Sequence, residues 1–143
     1  MAKVLAVNIS EKKGVPKEPV DNGFFEVDHG LVGDAHAGKW HRQVSLLGQE
    51  SIDKIKAGID GICVGKFAEN LTTEGIILYE LPIGTKLKIG ETEMEVTQIG
   101  KECHMGCAIR ELVGDCVMPR EGIFTKVLKS GNIKPGDEII VLN

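Results

Sequence analysis

Three of the four cysteines lie close together, at Cys103, Cys107 and Cys116, and His104 lies beside the first of them. Thiols crowded in this way are typical of sulfur chemistry, of a metal site, or of both. The Cys-x₃-Cys spacing with a neighbouring histidine permits a zinc site, but it differs from the common Cys-x₂-Cys pair. The sequence also permits a redox pair of Cys103 or Cys107 with Cys116, and it equally permits inert packing of these thiols in a core.

Cys116 is the first candidate for a reactive sulfur. An unperturbed thiol has a pKa of about 8.5 and is only a few per cent ionised at neutral pH, so it needs a nearby cation. Arg120 lies close to Cys116 in sequence and favours the thiolate, whereas the adjacent Asp115 opposes it. A coordinated metal would deprotonate the thiol outright. The sequence alone leaves both a functional and a buried structural Cys116 open.

Two further groups of polar residues could bind a ligand. The glycine-rich segment Asp28–Arg42 contains Asp34, His36 and His41, which could form a metal set. Lys39, His41 and Arg42, in the same segment, could hold an anion. A solvated loop explains the same residues more simply.

The second group follows Glu69 and consists of Asn70, Thr72 and Thr73, in a segment that otherwise resembles a strand. Polar residues in such a position often turn inward to bind a polar ligand. A half-exposed strand gives the same pattern.

The elements that must position these residues are mostly strands. Alternating or β-branched runs predict strands at Lys3–Ile9, Gly23–Val27, Gln43–Leu47, Phe67–Leu78 with an interruption at Gly75, Thr85–Ile89, Glu93–Ile99 and Asp137–Leu142. The pair around Gly90-Glu91-Thr92 predicts a hairpin, with Met94, Val96 and Gln98 on one face. Pro135-Gly136 suits a type II turn with a positive φ at the glycine.

Other segments carry a weaker strand signal or none. Ile52, Ile55 and Ile59 fall at helical spacing and predict one amphipathic helix over Gln49–Ile59. Two prolines predict a surface loop over Ser10–Asn22. Cys107–Val113 could form two short helical turns, and Gly122–Leu128 is ambiguous between strand and helix. We therefore expect a mainly β fold, a barrel or sandwich with small helical insertions.

Length and composition limit the number of domains and the classes of function that the protein can have. The 143 residues predict a single domain spanning residues 1–143, and 18 glycines suit a turn-rich β architecture. The net charge of −4 and the aromatic content of 4% argue against nucleic-acid binding. No apolar run is long enough for a membrane span, and the N-terminus does not resemble a signal peptide. We expect a cytoplasmic protein without a membrane or nucleic-acid partner, whose cysteines stay reduced.

Taken together, the motifs resemble the MOSC family, named for the C-terminal domain of molybdenum-cofactor sulfurases. The similarity spans about Gly23 to Leu142, and the order of the motifs makes it specific. The matching residues are Gly33-Asp34-Ala35-His36, Arg42-Gln43, Glu69-Asn70-Leu71-Thr72-Thr73-Glu74-Gly75, Cys116, Met118-Pro119-Arg120-Glu121-Gly122-Ile123-Phe124 and Gly131-Asn132-Ile133-Lys134-Pro135-Gly136-Asp137.

The resemblance implies a β-barrel-like fold and a role with molybdenum cofactor (molybdopterin) or its sulfur. The characteristic cysteine of the family corresponds to Cys116, which would carry a persulfide or ligate molybdenum. Asn70 corresponds to a cofactor-contacting asparagine, with Thr72 close by, and Arg42 is a candidate phosphate contact. Arg120, in the cysteine motif, is a further candidate for cofactor binding.

The resemblance also suggests partners. The sequence contains no pyridoxal-phosphate desulfurase domain, so we expect a separate cysteine desulfurase to supply sulfur and a molybdoenzyme to accept it. The extra thiols Cys103 and Cys107 could relay sulfur or resolve a persulfide.

Three functions follow from these observations. The first is binding of molybdenum cofactor or sulfur transfer to it, and the second is a molybdenum-dependent reductase of N-hydroxylated compounds. The third is a zinc-binding or scaffold protein that uses Cys103, Cys107 and Cys116. The sequence does not decide whether the protein is an enzyme.

Overall fold

The computed structural model describes residues 2–11, 17–35, 37–50, 69–99 and 122–142, and these form a mainly β fold. An eight-stranded mixed sheet has the order β11-β7-β8-β9-β5-β6-β1-β2, and a three-stranded sheet has the order β10-β3-β4. The strands are β1 Lys3–Ile9, β2 Glu18–Val20, β3 Gly23–Glu26, β4 Gly30–Leu31, β5 Val44–Gly48, β6 Leu71–Glu74, β7 Lys86–Ile89, β8 Thr92–Ile99, β9 Ile123–Lys129, β10 Gly131–Ile133 and β11 Ile139–Val141.

One face of the large sheet forms the apolar core. Side chains at alternate positions of a strand point to the same face, and the buried alternation of β7 and β8 follows this period. The fully buried members of the core include Val7, Phe25, Leu31, Val44, Leu46, Leu71, Leu87, Ile89, Met94, Val96 and Ile123. Burial of each such side chain contributes about 1.5–3 kcal/mol relative to its exposure to water.

The predicted barrel is not closed among the described strands. A single bridge joins Lys3 of β1 to Glu138, next to β11, supported by a hydrogen bond of 2.8 Å from Val4 N to Asp137 O. Beyond this point β2 pairs with the end of β1, over Val7–Ile9. Because β2 occupies this part of the β1 edge, β11 meets only the beginning of β1. The eight-stranded sheet therefore has two edge strands, β11 and β2.

Most strand predictions are confirmed, including β1 with its predicted bounds and the β7–β8 hairpin. The ambiguous segment Gly122–Leu128 contains β9, which pairs with β8 and β5. The strand predicted over Phe67–Leu78 is shorter in the described residues, because the chain leaves the sheet after β6, and Leu78–Glu80 form a 3₁₀ turn.

The helix predicted over Gln49–Ile59 is not borne out in the described part of the chain. Gln49 and Glu50 have helical conformation, and residues 51–59 lie outside the described residues, as does Cys107–Val113. The predicted surface loop Ser10–Asn22 needs a correction, because it contains β2 and the buried Lys17. In the described residues no helix is long and apolar enough to cross a membrane.

Candidate functional site

Two β-bulges turn polar side chains away from the core. On β8, Val96 pairs with Thr125 and Gln98 pairs with Phe124, so Thr97 is the extra residue. A bulge of this kind reverses the alternation of the following side chains. Gln98 therefore shares a face with Phe124 rather than with Met94 and Val96, and the prediction of one common face for Gln98 is wrong.

The bulge on β1 has the same effect at the other side of the sheet. Val4 pairs with Thr73 and Ala6 with Thr72, which makes Leu5 the extra residue. As a result Asn8 lies beside Asn70, and Asn8 N donates to Asn70 O at 2.7 Å. Both bulges thus place an amide side chain on the face of the sheet opposite to the core.

Gln98 holds two residues of the glycine-rich loop. Arg42 Nε donates to Gln98 Oε1 at 3.0 Å, and His41 Nε2 lies 2.8 Å from the same oxygen. An arginine nitrogen can only donate, so the amide oxygen must face the loop, and His41 Nε2 must carry its proton. Thr97 Oγ1 also donates to His41 O, which ties the loop backbone to the bulge.

The Arg42 guanidinium lies over two aromatic rings. Its central carbon is 5.4 Å from the centroid of Phe124 and 5.8 Å from that of Trp40. Distances of this size are typical of cation–π contacts. Within the described ranges, the terminal nitrogens of Arg42 have no hydrogen bond and no carboxylate partner. Among the described residues, Arg42 is thus an oriented cation whose terminal donors have no acceptor.

Asn70 lies at the centre of a buried polar group that joins three strands. Its Oδ1 accepts from Ser45 N at 3.0 Å and from Ser45 Oγ at 3.2 Å, and its Nδ2 donates to Asn8 O at 3.3 Å. Asn70 is fully buried. Its second amide hydrogen has no acceptor among the described residues. The side chain therefore cross-links β1, β5 and β6 and retains one donor.

Thr72 belongs to the same polar group. Its hydroxyl donates to Glu69 Oε2 at 2.7 Å and accepts from Asn8 Nδ2 at 3.0 Å. Asn8 Nδ2 also donates to the carbonyl of Glu69, which fixes the orientation of the Asn8 amide. Asn8 Oδ1 is buried and has no partner among the residues that the structure describes.

Arg42 and Asn70 lie over the same face of the sheet. Ser45 pairs with Phe124 on one side and bonds Asn70 on the other. Neighbouring strands are about 4.8 Å apart, so Asn70 and Phe124 are separated by two spacings, or about 10 Å. The structure thus brings the predicted residues Arg42, Asn70 and Thr72 to one face, in two hydrogen-bonded groups.

A buried ion pair anchors the glycine-rich loop. Lys17 Nζ lies 2.8 Å from Asp34 Oδ1, and both side chains are inaccessible to solvent. Lys17 also donates to Ser10 Oγ, and Ser10 N donates to Asp34 Oδ1. The metal set predicted from Asp34, His36 and His41 includes His36, which lies outside the described residues. Among those described, no group of three or more His, Cys, Asp or Glu side chains could hold a metal.

The remaining predicted site residues lie outside the described residues: Cys103, Cys107, Cys116 and Arg120. Their roles stay predictions. The described strand ends Ile99 and Ile123 flank the segment that contains them, and these two residues pair in the sheet directly beyond Gln98 and Phe124. Ile99 and Ile123 therefore lie next to Gln98 and Phe124, the two residues of these strands that contact Arg42.

Sequence reasoning missed the roles of Gln98, Ser45 and Asn8. Asn8 had a detectable signal, since it is a polar residue that follows the apolar run Val4–Val7 within strand β1.

A separate open cleft of about 590 Å³ is lined by Asn22, Gly90, Glu91, Asn132, Lys134 and Asp137. None of these is a predicted site residue.

Comparison with known proteins gives a family match and several structural neighbours. The family model described as MOSC domain matches residues 33–140. No curated protein matches the sequence. The fold resembles that of the YuaD protein from Bacillus subtilis, with a TM-score of 0.80 and 20% identity, over 97% of this chain and 94% of that one.

Two further solved structures have the same fold. YiiM from Geobacillus stearothermophilus has a TM-score of 0.77 and 18% identity, over 100% of this chain and 76% of that one. YiiM from Escherichia coli has a TM-score of 0.70 and 16% identity, over 98% of this chain and 70% of that one. At these identities the likeness concerns the fold alone.

Proposed function

Because the chain belongs to the MOSC domain family, we propose that it binds molybdenum cofactor or delivers persulfide sulfur to it. In this proposal Cys116 is the sulfur carrier or a molybdenum ligand. When bound, the cofactor supplies an oxo-molybdenum centre that can accept sulfur. The observation that carries the proposal is the oriented Arg42 cation, whose terminal nitrogens have no partner among the described residues.

The donor set at Arg42 suits the anionic part of such a cofactor. A guanidinium can bind a phosphate through two parallel N–H···O bonds, which are charge-assisted and short. The protein has a net charge of −4, so an anionic ligand needs a local cation of this kind. The rings of Phe124 and Trp40 hold the guanidinium in place, and its terminal nitrogens have no hydrogen bond to any residue that the structure describes.

Asn70 and Thr72 form the polar edge of the proposed site. Asn70 has one amide hydrogen without an acceptor among the described residues, and its backbone lies about 10 Å, or two strand spacings, from that of Phe124. A ligand whose phosphate binds Arg42 and whose polar ring lies several ångströms from that phosphate could contact both Arg42 and Asn70. Asn8 Oδ1, buried and without a described partner, adds an acceptor next to Thr72.

Sulfur transfer would follow ordinary thiol chemistry. The Cys116 thiolate attacks the outer sulfur of a persulfide on a cysteine desulfurase, which forms a Cys116 persulfide and releases the donor thiolate. Arg120, near Cys116 in sequence, would favour the thiolate and contact the anionic ligand. Cys103 and Cys107 are the accessory thiols that could resolve this persulfide.

The proposal is tested by sulfur labelling. The reduced protein is incubated with a cysteine desulfurase, its pyridoxal phosphate and ³⁵S-cysteine, and protein-bound label is measured under non-reducing conditions. We expect label on the wild type and on the matched control Cys63→Ala, which removes the one cysteine outside the cluster. Cys116→Ala should lose most of the label. Equal label on Cys116→Ala and the wild type would refute the carrier role.

Metal analysis separates the two roles of Cys116. If Cys116 ligates molybdenum, protein from cells that make the cofactor should contain molybdenum, and Cys116→Ala should lose it while Cys63→Ala retains it. A protein that contains zinc bound through the three clustered cysteines instead would contradict both roles.

A further inference from the structure

We infer that Gln98 is a positioning residue that orients Arg42 for bidentate binding of a phosphate-type dianion. The inference rests on the proposed function, since it concerns the same anion site. Gln98 is not one of the residues that the family motifs or the sequence assigned to the site. Its role follows from the bulge at Thr97 and from the contacts of its amide oxygen.

The amide oxygen of Gln98 acts on one specific nitrogen of Arg42. It accepts from Nε, at 3.0 Å, and leaves both terminal nitrogens unbonded in the described part of the chain. A guanidinium held by Nε and stacked on Phe124 cannot rotate freely about its long side chain. Its terminal edge is then presented as a fixed pair of donors, which is the arrangement that two phosphate oxygens match.

Gln98 is itself held in place. The second lone pair of its oxygen faces His41 Nε2 at 2.8 Å, so both acceptor positions are used. The Thr97 hydroxyl lies within hydrogen-bonding distance of the carbonyl oxygens of both His41 and Phe124, and its single hydrogen can be donated to either, which holds the bulge against the loop and β9. If β8 paired regularly, with Thr97 opposite Phe124, the side chain at position 98 would point to the core face and could not reach Arg42.

The expected size of the effect follows from the cost of ordering a long side chain. Immobilising one such side chain on binding costs about 0.5–1.5 kcal/mol, which corresponds to about 2- to 10-fold in affinity. Replacement of Gln98 by leucine should therefore weaken phosphate binding by about 2- to 10-fold, because Arg42 must then be ordered by the ligand.

The experiment combines NMR of the Arg42 Nε–H group with titration of inorganic phosphate into the full chain. The Arg42 signal is assigned by its loss in Arg42→Lys. In the wild type we expect a hydrogen-bonded, slowly exchanging Nε–H. In Gln98→Leu this signal should move toward that of a free arginine side chain, with weaker phosphate binding.

Two variants sharpen the test. Gln98→Glu keeps an acceptor for Nε, so the protected signal should persist, while its negative charge should weaken phosphate binding. Lys88→Ala removes an exposed cation of β7 and should change neither measurement. Loss of phosphate binding in Gln98→Leu with an unchanged Nε–H signal would mean a general structural effect and would overturn the inference.

The outcomes distinguish this inference from the proposed function. If Arg42→Ala binds phosphate as well as the wild type does, the anion site itself is wrong. If Arg42→Ala loses binding but Gln98→Leu matches the wild type in both measurements, only the role of Gln98 is wrong. An unprotected Nε–H signal in the wild type would refute the inference without any variant of Gln98.

Discussion

Replacement of Lys17 by methionine should destabilise the protein strongly, because it leaves the carboxylate of Asp34 buried without its cation. Both side chains of the pair are inaccessible to solvent, and their charged atoms are 2.8 Å apart. Removal of one partner from such a pair typically costs about 3–5 kcal/mol. Since small proteins are stable by only about 5–15 kcal/mol, Lys17→Met should lose a large part of the total.

The assay is urea unfolding at neutral pH followed by circular dichroism. With a slope of about 1–3 kcal/mol per molar urea, the expected loss lowers the midpoint by about 1–5 M. Lys3→Met is the matched control, because the Lys3–Glu74 pair is 3.7 Å long and about half exposed, at 49% for each side chain. Such a surface pair contributes about 0–1 kcal/mol.

A second substitution identifies the cause. In Lys17→Met with Asp34→Asn, the buried charge is gone and the side chain can still accept from Ser10 N. The double variant should therefore recover a substantial part of the loss, since neutral replacement of both partners removes the uncompensated charge. If Lys17→Met costs no more than Lys3→Met, or if Asp34→Asn restores nothing, the reasoning about this pair is refuted.

Two further predictions concern a glycine and a surface pair. Gly30→Ala should destabilise by more than about 1 kcal/mol, since Gly30 has a φ of +111° and an added Cβ would lie 2.5 Å from Gln43 O. Gly84 has a φ of +96°, and beyond its chain neighbours no atom of a described residue lies within 4 Å of an added Cβ, so Gly84→Ala should lose less stability in the same urea assay. Equal losses of stability in the two variants would contradict the clash at Gly30. The hydrogen bond and charge of Asp137 raise the pKa of Lys134. This stabilisation is present below the ordinary lysine pKa of about 10.4 and is lost as the pH rises through the raised value. A ¹³C titration of Lys134 should show a lower pKa in Asp137→Asn, and an unchanged pKa would refute this.

The strands were largely predictable because their signals are local. The alternation of apolar residues defines β1, β7 and β8, and the Gly90-Glu91 pair defines the hairpin between the last two. The turn at Pro135-Gly136 has the predicted positive φ, +96° at the glycine, because proline and glycine restrict or permit φ by their own covalent structure.

The failures have tertiary causes. The sequence predicts a surface loop around Lys17 because two prolines and several charges surround it, whereas contacts with the distant Asp34 and with Ser10 make its burial tolerable. The sequence predicts a barrel or sandwich, but the described strands form no closed barrel, because β2 occupies part of the β1 edge that closure would need. Neither a long-range ion pair nor competition for a strand edge is visible in local sequence.

For the site, the sequence alone determined which residue types are available and the family whose motifs contain them, with Arg42, Asn70 and Thr72 among the candidates. It could not determine which of their donors are free. The tertiary structure decided that Asn70 bonds inside the sheet and that Gln98 bonds Arg42. The physical reason is that two single-residue bulges set which face each side chain occupies, and such a change in register depends on the partner strands.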